Sequence, residues 1–475
     1  MSARPPLIAL GAAALGVLLS ACAVGPDYVA PQTAPASFNH AGNADFVATG
    51  AEALWWRQFQ DPVLDGLVDR ALAANLDLRI AVSRVQESRA LFREADLDRY
   101  PAVTAGAGYE RGRAQQPGSG DARIDIETSR LGFDAGWELD LFGRVRRAAE
   151  AARADAEGAA AGLRDAQVSV AAEVARNYFE LRGAQRQLAV AQRNLDNQRE
   201  TLRLTKVRYE LGRSAELDVA SAQARLSATA AGLAPLAAAE RRAMHRIAVL
   251  LGQRPGTLDA ELAPADALPR LQQLAIGSAD QLLRRRPDVR VAERNLAAAT
   301  ARVGVATADL FPRISVNGFI GFASAGGGGL GSSATQAWSV APSLSWAALD
   351  LGSVRARLRA SEARVDGALA AYELTVLRAI EDTENAFVGY GQQQARLASL
   401  YEQVAASRRA AELARIQYRE GLTDFIRLLD AEGTLLQAEN DVAEAETALN
   451  TGIVAIYKAL GGGWQEAGAT TVAAR

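Results

Sequence analysis

The chain has 475 residues, with 52 basic and 55 acidic side chains, so no basic footprint points to nucleic acid. Two histidines (His40, His245) and one cysteine (Cys22) supply neither a zinc ligand set nor an internal disulfide. Aromatic residues make up 6% of the chain and alanine is abundant, a composition suited to long, closely packed helices.

At the amino terminus Arg4 precedes an apolar stretch from Leu7 to Leu19, followed by Ser20-Ala21-Cys22. A membrane span needs about twenty apolar residues, and this stretch is shorter. It reads as a signal peptide over 1–21, cleaved before the sole cysteine at a sequence that matches a bacterial lipobox. That match implies acyl chains on Cys22, each buried methylene adding about 0.8 kcal/mol of membrane affinity. An ordinary signal peptide with a chance cysteine is the alternative. Ala23, where an aspartate would retain a lipoprotein at the inner membrane under the enterobacterial rule, favours the outer membrane. The segment 22–60, with Val24-Gly25-Pro26-Asp27-Tyr28 near its start, reads as an extended, acylated lead into the body of the protein.

A helical stretch is expected over about 62–99, stopped by Tyr100-Pro101, because proline lacks the N–H and holds its predecessor extended. Strands are expected at about 102–112 and 128–141. In the second, Leu131-Gly-Phe133-Asp-Ala135-Gly-Trp137-Glu-Leu139 alternates strictly, with apolar residues on one face and Gly, Asp and Glu on the other. That pattern suits a membrane β-barrel strand; a soluble sheet with one wet face is the alternative. Long helices are expected over 144–252. Val145 to Leu211 contains no proline and would run ~100 Å if continuous. Leu188, Leu195, Leu202 and Tyr209 recur every seven residues as a coiled-coil seam. Tyr209-x-x-Gly212 then reverses the chain, since glycine accepts the positive φ that ends a helix, and a return helix starts at Leu217–Leu233.

After an inter-repeat segment at 256–277, the same order returns. Asp77 and Asp288 lie 211 apart, as do Pro101 and Pro312; further on, Trp137 and Trp346, Tyr209 and Tyr418, and Gly252 and Gly461 lie 209 apart. The chain therefore contains a duplicated unit, over 61–255 and 278–463, with a tail at 464–475. The second copy has a helical stretch at 278–310, strands at about 313–324 and 336–349, and long helices over 353–460. Its glycine-rich loop at Ala325–Ser333 lacks the Gly-Lys-Ser/Thr ending of a phosphate cradle and reads as a hairpin loop. Four strands cannot close a barrel, and open edges are excluded from lipid, so a membrane reading demands association; three copies would give twelve strands.

Cys22 with Val24-Gly25-Pro26-Asp27-Tyr28, Trp55-Trp56-x-x-Phe59-x-Asp61-Pro62, Arg285-Arg286-Pro287-Asp288-Val289, Tyr418-Arg-Glu-Gly421 and Leu428-Leu429-Asp430-Ala431-Glu432 together resemble the outer-membrane factor (TolC-like) family, NodT-type efflux lipoproteins in particular. The resemblance covers nearly the whole mature chain. It implies a mixed, mainly α fold built from a helix–two strands–long helical hairpin unit. It also implies a homotrimer, with a twelve-stranded outer-membrane β-barrel continued by a periplasmic α-helical barrel. The function implied is a passive, gated exit duct of a tripartite efflux pump, working with a periplasmic adaptor and an RND-type inner-membrane pump, without cofactor, metal or catalysis. A type I secretion duct, or a periplasm-spanning lipoprotein without a pore, are the other readings. Ile426 and Asp430, four apart, share a helix face. By resemblance they form an apolar ring and an aspartate ring at the closed entrance, with Leu217 the apolar counterpart in the first repeat; the alternative is that Asp430 faces solvent or pairs with Arg427. A basic residue often follows this aspartate by three positions in the family, where this chain has Gly433. Adaptor docking is expected at the turns carrying Tyr209, Gly212 and Arg213, and Tyr418, Gly421 and Thr423.

Overall fold

The structure is a computed structural model that describes residues 23–31, 38–47, 53–115, 123–264, 271, 273–326 and 328–464. Cys22, the expected signal peptide and the tail beyond Trp464 lie outside the described residues. In chain order the elements are α1 (Pro62–Ala74), α2 (Leu76–Leu97), β1 (Ala102–Gln115), β2 (Arg123–Leu139), α3 (Arg144–Glu210), α4 (Glu216–Leu250), α5 (Ala279–Arg285), α6 (Pro287–Ala308), β3 (Arg313–Ala325), β4 (Gln336–Ser345), α7 (Leu351–Arg419) and α8 (Phe425–Ala459). The chain divides into two compact units, one holding Ser83–Ala160 and Arg290–Leu374 with the amino-terminal segment, the other the remainder.

The helical stretches expected at about 62–99 and 278–310 are each two helices. The first breaks at Asn75, whose backbone N–H closes α1 on the Ala71 carbonyl at 2.9 Å and whose side chain begins α2: Oδ1 accepts from the N–H groups of Asp77 and Leu78, at 2.8 and 3.1 Å. Asparagine offers the backbone this local alternative to a helical hydrogen bond. The second breaks at Arg286, just before Pro287 opens α6, where a proline costs no hydrogen bond. Both joints are tied to the end of a return helix. Asn75 Nδ2 donates to the Leu250 carbonyl at 2.8 Å, and the Arg286 guanidinium to the Ala459 carbonyl at 3.1 Å. Leu250 and Ala459 are themselves equivalent in the duplication.

The second unit is built around Trp55, Trp56 and Phe59, all buried. Trp55 stacks on Tyr457 at 5.3 Å and Phe59 meets Phe179 at 4.8 Å. Asp61 caps α1 through the N–H groups of Val63 and Leu64 and accepts the Tyr178 hydroxyl; burial, together with that bond, pushes Tyr178 up to about 12. Phe46–Val47 pairs in parallel with Leu274–Ala275, joining the amino-terminal and inter-repeat segments. In this unit Pro235 sits inside α4 without ending it.

The first unit carries an antiparallel sheet in the order β1–β2–β3–β4, so the two repeats join at β2 and β3. Register is continuous: Val103 is opposite Ala135, Ala135 opposite Gly318, and Gly318 opposite Val340. Strand β4 ends at Ser345, short of the expected residue 349, and the Trp346 indole instead donates to the Leu310 carbonyl at 3.0 Å. Residues 23–31 lie along α3 and α6. Arg147 pairs with Asp27 at 2.6 Å, Tyr28 donates to Glu293 at 3.1 Å, and Gly25 (φ +90°) lies so close to Gly304 that a Cβ would stand 2.5 Å from its Cα.

Candidate functional site

The sheet has two chemically distinct faces. Directly opposed residues share a face, so Phe133 lies with Ile320 and Trp338, and Leu131 with Ala107 and Phe322. This face is apolar and open, with Trp338 at 78% exposure. The other face carries Thr104, Asp134, Ser315, Asn317, Ser339 and Ser343, interrupted by glycines. Gly132 and Gly321 face each other there with no room for a side chain: a Cβ on Gly321 would stand 2.2 Å from the Leu131 carbonyl oxygen, and one on Gly132 2.5 Å from that of Ile320 and 2.6 Å from the Phe319 ring. Arg130 covers that ring at 3.9 Å and pairs with Asp134 at 2.7 Å. An extended apolar surface of this kind is the mark of a membrane- or protein-facing side. The outer edges of β1 and β4 have no strand partner among the described residues.

The two helix reversals belong to the second unit and are built alike. Gly212 (φ +69°) donates to the Tyr209 carbonyl and Arg213 to that of Arg208, both at 2.8 Å. Gly421 (φ +73°) donates to Tyr418 at 3.1 Å and Leu422 to Gln417 at 2.8 Å. This is the six-to-one bonding that terminates a helix on a left-handed residue. The return helices are each capped by an aspartate, at different places. Asp218 accepts from the Ala215 N–H at 3.1 Å, and Asp424 from the Arg427 N–H at 2.9 Å.

The duplicated tyrosines part company. Tyr209 is 46% exposed, whereas Tyr418 is 7% exposed and packed with Leu202, Ala222, Phe425 and Leu428. The Arg208 guanidinium lies 4.5 Å over the Tyr418 ring and donates to its carbonyl at 2.8 Å, fastening α3 to α7. Arg213 is exposed and Thr423 half-buried. Ile426 and Asp430 share an open face of α8, Ile426 at 66% exposure, and Leu217 occupies the equivalent place on α4 at 67%. Arg427 turns to Asp424 at 4.0 Å, and the Asp430 carboxylate has no hydrogen-bond or ion-pair partner among the described residues.

Several residues at this end escape sequence reasoning. Gly433 leaves the space that Arg225 of α4 fills: a Cβ there would stand 1.9 Å from the guanidinium, which donates to the Leu429 carbonyl at 3.2 Å. A basic group therefore reaches this stretch of α8 from the other repeat. Glu432 is buried and pairs with Arg415 at 2.7 Å. One heptad on, Glu439 pairs with Arg408 at 3.0 Å, and a further heptad on Glu446 accepts from Tyr401 and pairs with Arg186 at 2.6 Å. The seven-residue spacing of Glu432, Glu439 and Glu446 was the available signal. Among the described residues no group of His, Cys, Asp and Glu could hold a metal ion, and no helix is long and apolar enough to cross a membrane.

A sheet with one open apolar face and one polar face, together with paired helical hairpins, suits the outer-membrane efflux channels as a family. The sequence matches the pattern of that family, outer membrane efflux protein, over residues 67–253 and 279–462, and the chain belongs to it. It is 31% identical over 442 residues to nodulation protein T of Rhizobium leguminosarum bv. trifolii, covering 90% of this chain and 92% of that one. Against outer membrane protein OprJ of Pseudomonas aeruginosa it is 30% identical, covering 98% and 97%. Among solved structures the outer-membrane channel OprN superposes with a TM-score of 0.91 at 53% identity, over 94% of this chain and 100% of that one. The open state of the MtrE outer membrane channel of Neisseria gonorrhoeae gives 0.81 at 30% identity, over 93% and 98%. The chain is an efflux channel protein of the outer membrane, with a TolC-like, mainly α fold.

Proposed function

We propose that three copies assemble into a closed, twelve-stranded barrel and act as the gated exit duct of a tripartite pump. The observation that carries this is the sheet, which has one open apolar face, one polar face and two edges that lipid would not tolerate unpaired. In this reading Cys22 is acylated and anchors the chain, and the duct works without catalysis, driven by an RND-type pump through a periplasmic adaptor. The turns at Tyr209–Arg213 and Tyr418–Thr423 dock the adaptor. Exposed Tyr209 and Arg213 offer contact surface there, while buried Tyr418 shapes the turn. Ile426 and Leu217 close the entrance with apolar contacts. Three Asp430 carboxylates brought together on the axis narrow the entrance further and draw in a cation that holds the ring closed.

Sedimentation of the purified protein in detergent is expected to give three copies per particle; a stable monomer would remove the barrel. With Cys22 acylated, a cysteine introduced at Arg213 or Thr423 is the only free thiol. A bifunctional thiol reagent at that position should capture the adaptor in cells, and failure at both positions would reject docking at the turns.

A further inference from the structure

Several charges on the polar side of the sheet, and on the helices that continue it within the first unit, pair with one another. Arg130 pairs with Asp134 at 2.7 Å, Arg144 with Glu138 at 2.6 Å, Arg313 with Asp309 at 2.5 Å and Arg302 with Asp155 at 2.5 Å. A groove of about 490 Å³ runs between α3, α6 and α7, lined by Asp155, Arg302 and Asp309 from these pairs. To them α7 adds Arg357 and Arg364, both exposed and with no ion-pair or hydrogen-bond partner among the described residues. Along the groove itself two positive charges are therefore left over.

Two observations put this groove on the polar side. Asp309 lines it and pairs with Arg313, which is in phase along β3 with Ser315 and Asn317 of the polar face. The amino-terminal segment covers the other side of the same helices: Gly25 lies against Gly304, whereas Arg302 and Asp309 project from the opposite side of α6. The duplication sharpens the contrast. Arg357 and Arg364 stand 209 residues after Ala148 and Asp155, which line the facing wall of the same groove. One wall carries alanine and aspartate where the other carries two arginines, one helical heptad apart.

We propose that Arg357 and Arg364 form an anion-binding station on the wall of the duct, taking carboxylate, phosphate or sulfonate groups of solutes in transit. The proposal rests on the duct reading above. A guanidinium presents a planar fork of donors that matches such oxyanions, and a recessed wall strengthens the field of uncompensated charge. Rings of like charge in a pore set its ion preference.

The test uses the purified full-length protein in planar bilayers, with inorganic tripolyphosphate added on the barrel side and reversal potentials read in a KCl gradient. The double variant Arg357→Gln/Arg364→Gln is expected to need at least tenfold more tripolyphosphate for half-block and to shift the reversal potential toward K⁺. Arg357→Lys/Arg364→Lys should retain the block. Arg355→Gln/Arg359→Gln, on the other flank of α7, should change neither reading. Equal block and equal reversal potential in the Gln variant overturn the station, as they would if carboxylates of a second copy neutralised the arginines. A wild-type protein that never conducts would instead reject the duct itself, and the station with it.

Discussion

Asn75 and Arg286 show how little of a structural joint is visible in composition. As a repeat, Asn75-Leu-Asp77 and Arg286-Pro-Asp288 are legible; as joints they are not, because each depends on a carbonyl far along the chain, Leu250 or Ala459. Glu384 is a similar case. Burial pushes its carboxyl up, but the N–H groups of Asn39 and His40 and the His40 imidazole at 2.7 Å more than offset this, and its pKa falls below the ordinary 4.5. A depressed carboxylate stabilises the folded form above its ordinary value and loses that contribution as pH falls through the lowered one. The segment 38–47, also held by ring contacts of Phe38 and Phe46 with Phe387, should loosen as pH falls below the ordinary carboxylate range. Limited proteolysis across that range measures this, and Glu384→Gln should show the same cleavage at neutral pH.

Among the elements, the long helices follow from sequence more directly than anything else. Of the seam expected at Leu188, Leu195, Leu202 and Tyr209, Leu195 and Leu202 are buried, Leu188 is half-buried and Tyr209 is exposed. Pro235 is the exception to local rules, since tertiary packing carries α4 past a residue that removes one helical hydrogen bond. The ladder between α7 and α8 was not legible, because Arg415, Arg408 and Glu432, Glu439 meet only once the hairpin fixes their register. The first hairpin has no such ladder: Gln223 and Ala230 stand where Glu432 and Glu439 stand in the second. Arg408 is largely exposed, so its pair with Glu439 contributes about 0.5–1 kcal/mol. Arg408→Glu should lower the Tm, and Arg408→Glu/Glu439→Arg should recover most of the loss. A double variant no more stable than the single one would contradict this register.

For the whole molecule, the alternation of Leu131 to Leu139 was enough to separate the two faces of the sheet, and the duplication was enough to give the order of the elements. What the sequence left open is how the two copies differ at the reversals. Tyr209 and Tyr418 hold the same place in the pattern, and only Tyr418 has Phe425 and Arg208 to bury it. Phe133→Arg places a charge on the lipid-facing side, at a cost of about 2–4 kcal/mol near the bilayer midplane. It should sharply reduce the protein recovered in outer-membrane fractions, while Ser339→Arg on the polar face should leave that amount near wild type. The central claim, a duct closed at its entrance by the face bearing Ile426 and Asp430, is tested most directly by single-channel conductance. Purified wild-type protein in planar bilayers should show a small resting conductance, and Asp430→Ala one several-fold larger. Identical conductance in the two proteins, or none in either, would contradict the account.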